Sequence, residues 1–152
     1  MKRHKALIPL SKEHHEGLLL AVRLQQGPKA LQQLWSHDPY WQADYVVKFF
    51  EEYLEGHFDA EEQFIFPLFS QHIKDHQEVV QKLQAEHSEM RSYFEFFKQP
   101  EEKKLECNLT GFGKLLEEHI RCEERELFPL IEQHLPESIL ETLNQQLQNH
   151  NK

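Results

Sequence analysis

Two stretches of the chain set a histidine and a glutamate four residues apart: His57-Phe-Asp-Ala-Glu61 and His119-Ile-Arg-Cys-Glu123. On a helix, positions i and i+4 share one face, about 6 Å apart along the axis. Each stretch therefore aims an imidazole and a carboxylate at one place. A single such pair is commonly a solvated surface pair, but a matched pair of them is harder to dismiss. Two facing copies can enclose two metal ions, with Glu61 and Glu123 as bridging carboxylates and His57 and His119 as imidazole ligands. Neutral imidazole is the commonest metal ligand among side chains, and this chain carries 11 histidines.

The doubling runs further than four residues. Segment 57–72 aligns without a gap on segment 119–134: His57 matches His119, Glu61 matches Glu123, Glu62 matches Glu124, and both copies carry Phe-Pro-Leu. A weaker repeat sets Leu10-Ser-Lys-Glu13-His14 against Leu83-Gln-Ala-Glu86-His87. The chain thus reads as two related helical hairpins around a pseudo-two-fold site. His14 and His87 each add a terminal imidazole, which makes four histidines and two glutamates. His15 is the alternative to His14. His14 shares a helix face with Leu7, Leu10, Leu18 and Ala21, and it is the residue aligned with His87. Glu13 and Glu86 precede the two terminal histidines and are candidates to hold an imidazole N–H from behind. Glu62 and Glu124 are rotated by about 100° from their neighbours and are expected to face outward or sideways.

The elements that must position these residues are helices. A first helix is expected from Pro9 to Gln26, stopped by Gly27-Pro28, with a short helical stretch over Lys29 to Trp35. Asp38 reads as an N-cap and Pro39 as the first residue of a second helix. That helix reaches about Phe66, where Pro67 kinks or ends it. A third spans Lys74 to Lys98. A fourth starts near Glu101 or Asn108 and runs to Phe128, with Pro129 at its end. Pro136-Glu137-Ser138 opens a terminal helix to about Asn149. No alternating strand pattern bounded by turns is present. The expected fold is all-α, an up-down-up-down four-helix bundle with short extra helices, in one domain over residues 1–152. Phe49, Phe50, Phe58, Phe64, Phe94, Phe97 and Phe112 recur at helical spacing and should fill its interior.

Composition narrows the function classes. At 39% hydrophobic over 152 residues, the chain can bury a real core. A net charge of −9 without a basic patch argues against nucleic-acid binding. The longest apolar run, Leu18 to Val22, is far too short for a membrane span. The basic start, Met1 to Lys5, is followed by no signal-peptide core. Cys107 and Cys122 make no disulfide framework, so a reducing, cytoplasmic setting is expected. Cys122 reads as a small buried thiol and Cys107 as inert. His72, His76, His134 and His150 read as solvated, and His4 and His37 as terminal or capping residues. Tyr45, Tyr53 and Tyr93 are expected to pack.

Taken together, Glu13-His14-His15, His57-x-x-x-Glu61-Glu62 with Phe66-Pro67, Glu86-His87, and His119-x-x-x-Glu123-Glu124 with Leu127-Phe128-Pro129 resemble the hemerythrin-like HHE cation-binding domain. The resemblance spans roughly Leu7 to His134. It implies a non-heme di-iron centre with an oxo or hydroxo bridge, ligated by His14 (or His15), His57, Glu61, His87, His119 and Glu123, with manganese or zinc as alternative metals. The oxygen carriers of that family place a second histidine one turn after the third-helix histidine, where this chain has Arg91. They also place an aspartate five residues after the fourth-helix histidine, where this chain has a glutamate at four. One metal is therefore expected to keep a more open position, with His72 or His76 as substitute ligands and Arg91 as a nearby residue able to steer an anion. The expected role is binding or sensing of oxygen, nitric oxide, peroxide or iron-redox status. The alternatives are a di-iron enzyme acting on peroxide or oxygen, and a metal-stabilised structural or regulatory interaction domain. The partner is expected to be a small diatomic or peroxide ligand, not a membrane or nucleic acid.

Overall fold

The computed structural model describes residues 2–26 and 35–150. Helix α1 is Ile8–Gln26. Helix α2 is a continuous helical run over 39–72, built from Pro39–Phe49, Phe50–Leu54, Glu55–Ala60, Glu61–Ile65 and Phe66–His72. Helix α3 is Gln77–Lys98, and α4 is a second composite run over 102–134. Helix α5 is Glu137–His150. No strand occurs among the described residues, and α1 to α4 form the expected all-α bundle. None of these helices is long and apolar enough to cross a membrane.

Local chemistry sets most of the boundaries. The Asp38 carboxylate accepts the Tyr40 N–H at 3.1 Å, and Pro39 occupies the first turn, where its missing N–H breaks no bond. Helix α3 starts three residues later than expected, because His76 takes a left-handed conformation at φ 67° and Ile73 is extended. It closes at Lys98, just before Gln99-Pro100. The short helix expected over Lys29 to Trp35 falls, except for Trp35, outside the described residues. Trp35 itself is buried, edge-on to Trp41 and Tyr45.

The helix ends expected near the two prolines are not found, and a local distortion of the helix takes their place. Neither Pro67 nor Pro129 ends its helix: α2 continues to His72 and α4 to His134. A wide π-helical turn precedes each proline, Glu61–Ile65 in α2 and Glu123–Leu127 in α4. The Phe66 N–H reaches back five residues to the Glu61 carbonyl, and the Phe128 N–H reaches back five to Glu123. The ring and missing N–H of proline disrupt the regular i→i−4 ladder. Widening the turn just ahead of each proline absorbs that disruption and lets the helix continue. Such turns are frequent at functional sites, and both begin at a glutamate of the repeated motif. A third wide turn, Phe50–Leu54, has no counterpart in α4, where residues 112–116 are ordinary α-helix.

Packing places the motif residues at one level of the bundle. Helix α1 lies along α4, α2 along α3, and α3 along α4. The α1–α4 approach is close enough to require glycine. A Cβ on Gly113 would lie 2.9 Å from the Ala21 carbonyl oxygen, and one on Gly17 would lie 2.7 Å from Ile120 Cδ1. Two apolar clusters fill the interior. One gathers Leu7, Leu10, Phe66, Phe69, Leu83 and Phe128 with Leu140, Leu143 and Leu147 of α5. The other gathers Leu20, Leu24, Phe50, Phe58, Met90, Phe94, Phe112 and Leu116. On every one of the four long helices, the motif histidine falls in sequence between residues of the first cluster and residues of the second. The polar layer is thus clamped between two dry halves.

Candidate metal centre

His14, His57, Glu61, His87, His119 and Glu123 converge in that layer, and every one is buried. Their atoms form two groups of four. In the first, His14 Nε2 lies 3.0 Å from His57 Nε2 and 2.8 Å from Glu123 Oε1, and His57 Nε2 lies 3.3 Å from Glu61 Oε2. In the second, His87 Nε2 lies 3.2 Å from His119 Nε2 and 3.0 Å from Glu61 Oε1, and His119 Nε2 lies 3.5 Å from Glu123 Oε2. Each glutamate gives one oxygen to each group. Within each group the donor atoms all lie within 4.8 Å of one another. The exchange follows from helix geometry: Glu61 stands one turn beyond His57 on α2 and Glu123 one turn beyond His119 on α4. Each carboxylate therefore sits between its own histidine and the terminal histidine of α3 or α1.

The outward nitrogens are all engaged. His14 Nδ1 donates to Glu124 at 2.7 Å, His57 Nδ1 to Glu13 at 3.2 Å, His87 Nδ1 to Glu62 at 2.7 Å and His119 Nδ1 to Glu86 at 2.9 Å. A carboxylate can only accept, so each Nδ1 carries a proton and each Nε2 is the nitrogen turned inward. A carboxylate behind a ligating histidine fixes its tautomer and ring orientation. Glu13 and Glu86 thus stand where expected, each serving the histidine of the neighbouring helix. Glu62 and Glu124 are the residues that sequence reasoning left without a role. They point sideways, half-buried, onto His87 and His14. The signal that could have found them was the repeat, since both copies carry Glu-Glu.

His15 is exposed, which separates it from the cluster and leaves His14 as the inward residue. His72 and His76 are also exposed and supply no atom to either group. Arg91 does not face the layer. Its guanidinium forks onto Glu62 at 2.7 and 3.1 Å, so the expected anion-steering role gives way to an ion pair. Arg3 and Ser11, which carried no signal in the sequence, reach Glu124. Cys122 is buried and donates to Glu126 at 3.2 Å; burial, reinforced by that carboxylate, pushes its thiol up to about 12. Tyr93 packs on Phe97 and Phe112, Tyr45 on Trp41, and Tyr53 on Phe49. Phe64 is only partly buried, and the other six phenylalanines expected inside are buried.

Electrostatics shows what the layer requires. Burial disfavours charge on every one of these groups. Even so, the imidazoles of His57 and His119 outweigh burial at Glu61 and hold its carboxyl well below the usual carboxylate range. Burial likewise opposes the His119 imidazolium, but Glu123 and Glu61 beside it raise its pKa to about 9. His57 is raised well above its ordinary value by Glu61 against the same burial, and His14 is raised by Glu123 and Glu124. The buried Glu61 carboxylate thus demands positive charge between the imidazoles. Two neutral Nε2 lone pairs 3.0 Å apart would repel, so a proton or a cation must lie there. Glu61 Oε2 and Glu123 Oε2 are buried and accept no hydrogen bond. An ionised oxygen stranded in this way is costly unless a cation takes it. The donor set of imidazole nitrogen and carboxylate oxygen fits a pair of first-row transition metal ions.

Aromatic rings seal the layer. Phe58 stacks on His87 at 3.9 Å and Phe128 on His14 at 5.4 Å, while Phe66 leans on His87 at 5.3 Å. Beside His57, a cavity of about 10 Å³ lies among Phe49, Tyr53, Leu54, Phe58, Leu116 and Ile120.

A helical bundle with a buried layer of four histidines and two shared glutamates is a cation-binding scaffold. The family model described as the hemerythrin HHE cation binding domain matches residues 12–131, and the chain belongs to that family. No curated protein and no solved structure matches it.

Proposed function

We propose that the chain binds two iron ions, with His14 and His57 as terminal ligands of one, His87 and His119 as terminal ligands of the other, and Glu61 and Glu123 bridging both. The single observation that carries this reading is the exchange of carboxylate oxygens: each glutamate presents one oxygen to each pair of Nε2 atoms. Two imidazoles and two carboxylate oxygens would hold each ion, and an iron pair bound there would supply redox chemistry toward oxygen, nitric oxide or peroxide.

The surrounding residues favour a small ligand. The cavity beside His57 has room for about one water-sized body and is lined chiefly by apolar side chains. A space of that scale favours a ligand as small as a diatomic molecule or peroxide. We therefore read the protein as a binder or sensor of such a ligand, or of iron-redox status, acting in a reducing cytoplasm. The four outer glutamates hold the proton on each Nδ1 and keep each Nε2 aimed inward, while Phe58, Phe66 and Phe128 keep bulk water from the layer.

Metal content and the visible spectrum, measured on protein produced in iron-rich medium, test the reading. About two irons per chain are expected, with absorption that changes on adding oxygen, nitric oxide or peroxide. Iron that stays bound after Glu61→Ala with Glu123→Ala, or a loaded protein inert to all three ligands, would overturn it.

A further inference from the structure

Two arginines stand at the far ends of matching chains of contacts. Arg91 Nη1 donates to Glu62 Oε2 at 2.7 Å and Nη2 to Oε1 at 3.1 Å, and Glu62 Oε2 accepts from His87 Nδ1 at 2.7 Å. In the other hairpin, Glu124 Oε2 accepts from His14 Nδ1 and from the Ser11 hydroxyl, both at 2.7 Å. Arg3 Nη2 donates to the Glu124 carbonyl at 3.0 Å and to its Oε1 at 3.4 Å. Each guanidinium also lies over the ring that stacks on its histidine: Arg91 over Phe58, and Arg3 over Phe128.

The internal repeat does not account for this match. Aligning His14 with His87 sets Leu18 opposite Arg91 and His76 opposite Arg3. One arginine comes from the turn after its histidine on α3, and the other from the segment ahead of α1. Duplication copies residues into equivalent positions. A contact met at both ends from unrelated positions instead points to a requirement of the layer itself.

We infer that Arg91 and Arg3 are positioning residues of the metal centre: they pin Glu62 and Glu124 so that His87 and His14 keep their Nε2 atoms aimed at opposite subsites. The inference rests on the two-metal reading above. Glu62 and Glu124 are the outer carboxylates of the terminal histidines, and both border solvent, at 34% and 28% side-chain exposure. An unpinned carboxylate there turns to water, and the imidazole loses its acceptor and its fixed orientation. At Glu62 the planar fork of Arg91 holds both carboxylate oxygens at once, which an ammonium cannot do. Arg3 spans Glu124 and Glu132 instead, with Nη1 on Glu132 Oε1 at 2.6 Å and Nη2 on the Glu124 carbonyl and Oε1, while the Ser11 hydroxyl holds Glu124 Oε2. Each arginine acts on one subsite, Arg91 on that of His87 and His119, Arg3 on that of His14 and His57.

Anaerobic iron(II) titration of the full chain against a chromophoric chelator separates the outcomes. Two equivalents are expected for the unaltered protein. In Arg91→Ala, one equivalent should bind as before and the second about ten- to hundredfold more weakly. Arg91→Lys should recover part of the loss, and Arg3→Ala combined with Arg91→Ala should weaken both equivalents. Proton NMR of the cobalt(II)-loaded protein adds a readout that a merely structural arginine would not move. Arg91→Ala should hasten solvent exchange of one imidazole N–H, and Arg3→Ala that of a different one. If Arg91→Ala fails to fold by circular dichroism, Arg91→Lys carries the same comparison. An unaltered protein that takes up no metal overturns the two-metal reading itself. Two equivalents in the unaltered protein, with both left unchanged or both weakened alike in either single variant, overturn this inference alone.

Discussion

Metal-free protein should lose stability as the pH rises from about 6.5 to about 9, the opposite of what an acidic chain shows on leaving the acid range. The perturbation is deprotonation of the buried imidazoles. His119 has a folded pKa of about 9 against an ordinary value of 6.5, because Glu123 and Glu61 stabilise its cation more than burial penalises it. A group whose pKa is raised on folding stabilises the native state fully below its unfolded value, and that contribution disappears as pH climbs through the folded value. The rise, at about 1.4 kcal/mol per pH unit, corresponds to roughly 3 kcal/mol. Against a typical domain stability of about 5–15 kcal/mol, this is a large fraction. His14 and His57 are raised in the same direction and add to the drop. The assay is urea unfolding of chelator-treated protein at half-unit steps from pH 6 to pH 10, followed by circular dichroism. The metal-loaded protein should be flat over the same window, because a bound cation replaces the protons, and loading at pH 7 in weak buffer should acidify the solution. Metal-free stability that stays constant or increases between pH 6.5 and 9 would refute the claim that positive charge must lie between these imidazoles.

Three further outcomes follow from packing and burial. Gly113→Ala should destabilise the fold by about 1–3 kcal/mol in thermal unfolding, since its Cβ would meet the Ala21 carbonyl oxygen at 2.9 Å and the two helices would have to separate. Phe58→Ala should cost about 3–5 kcal/mol and, in the metal-loaded protein, alter the visible spectrum, because Phe58 is the ring stacked on His87. Thiol alkylation at pH 8 followed by mass spectrometry should label the exposed Cys107 and spare Cys122 in the folded chain, with both labelled in denaturant.

The repeat of His-x-x-x-Glu and of Glu-His was legible because helical periodicity turns spacing directly into a shared face. The all-α class and the six inward residues follow from that periodicity, and the Asp38–Pro39 start follows from capping chemistry. Pro67 and Pro129 misled the boundaries, since a proline reads as a stop wherever the chain has no other way to absorb its ring. The wide turns that absorb it, beginning at Glu61 and Glu123, depend on i→i+5 bonding that no residue type announces. Glu62 and Glu124 were half legible: their repeat was visible, but their targets lie on other helices. Arg3 and Ser11 were not legible at all, because their contacts with Glu124 span more than a hundred residues of chain.

By itself the sequence determined the local quantities: which residues share a face, where a helix can begin, and how many metal-type donors the chain carries. Only the tertiary structure decided which donors meet. His14 turned inward and His15 to solvent because α1 must lay its apolar face on α4 at the Gly17 and Gly113 crossings. Arg91 became an anchor for Glu62 because α2 and α3 lie side by side. Partner choice across helices depends on the packing of whole faces, and a linear pattern specifies each face without saying which other face it will meet.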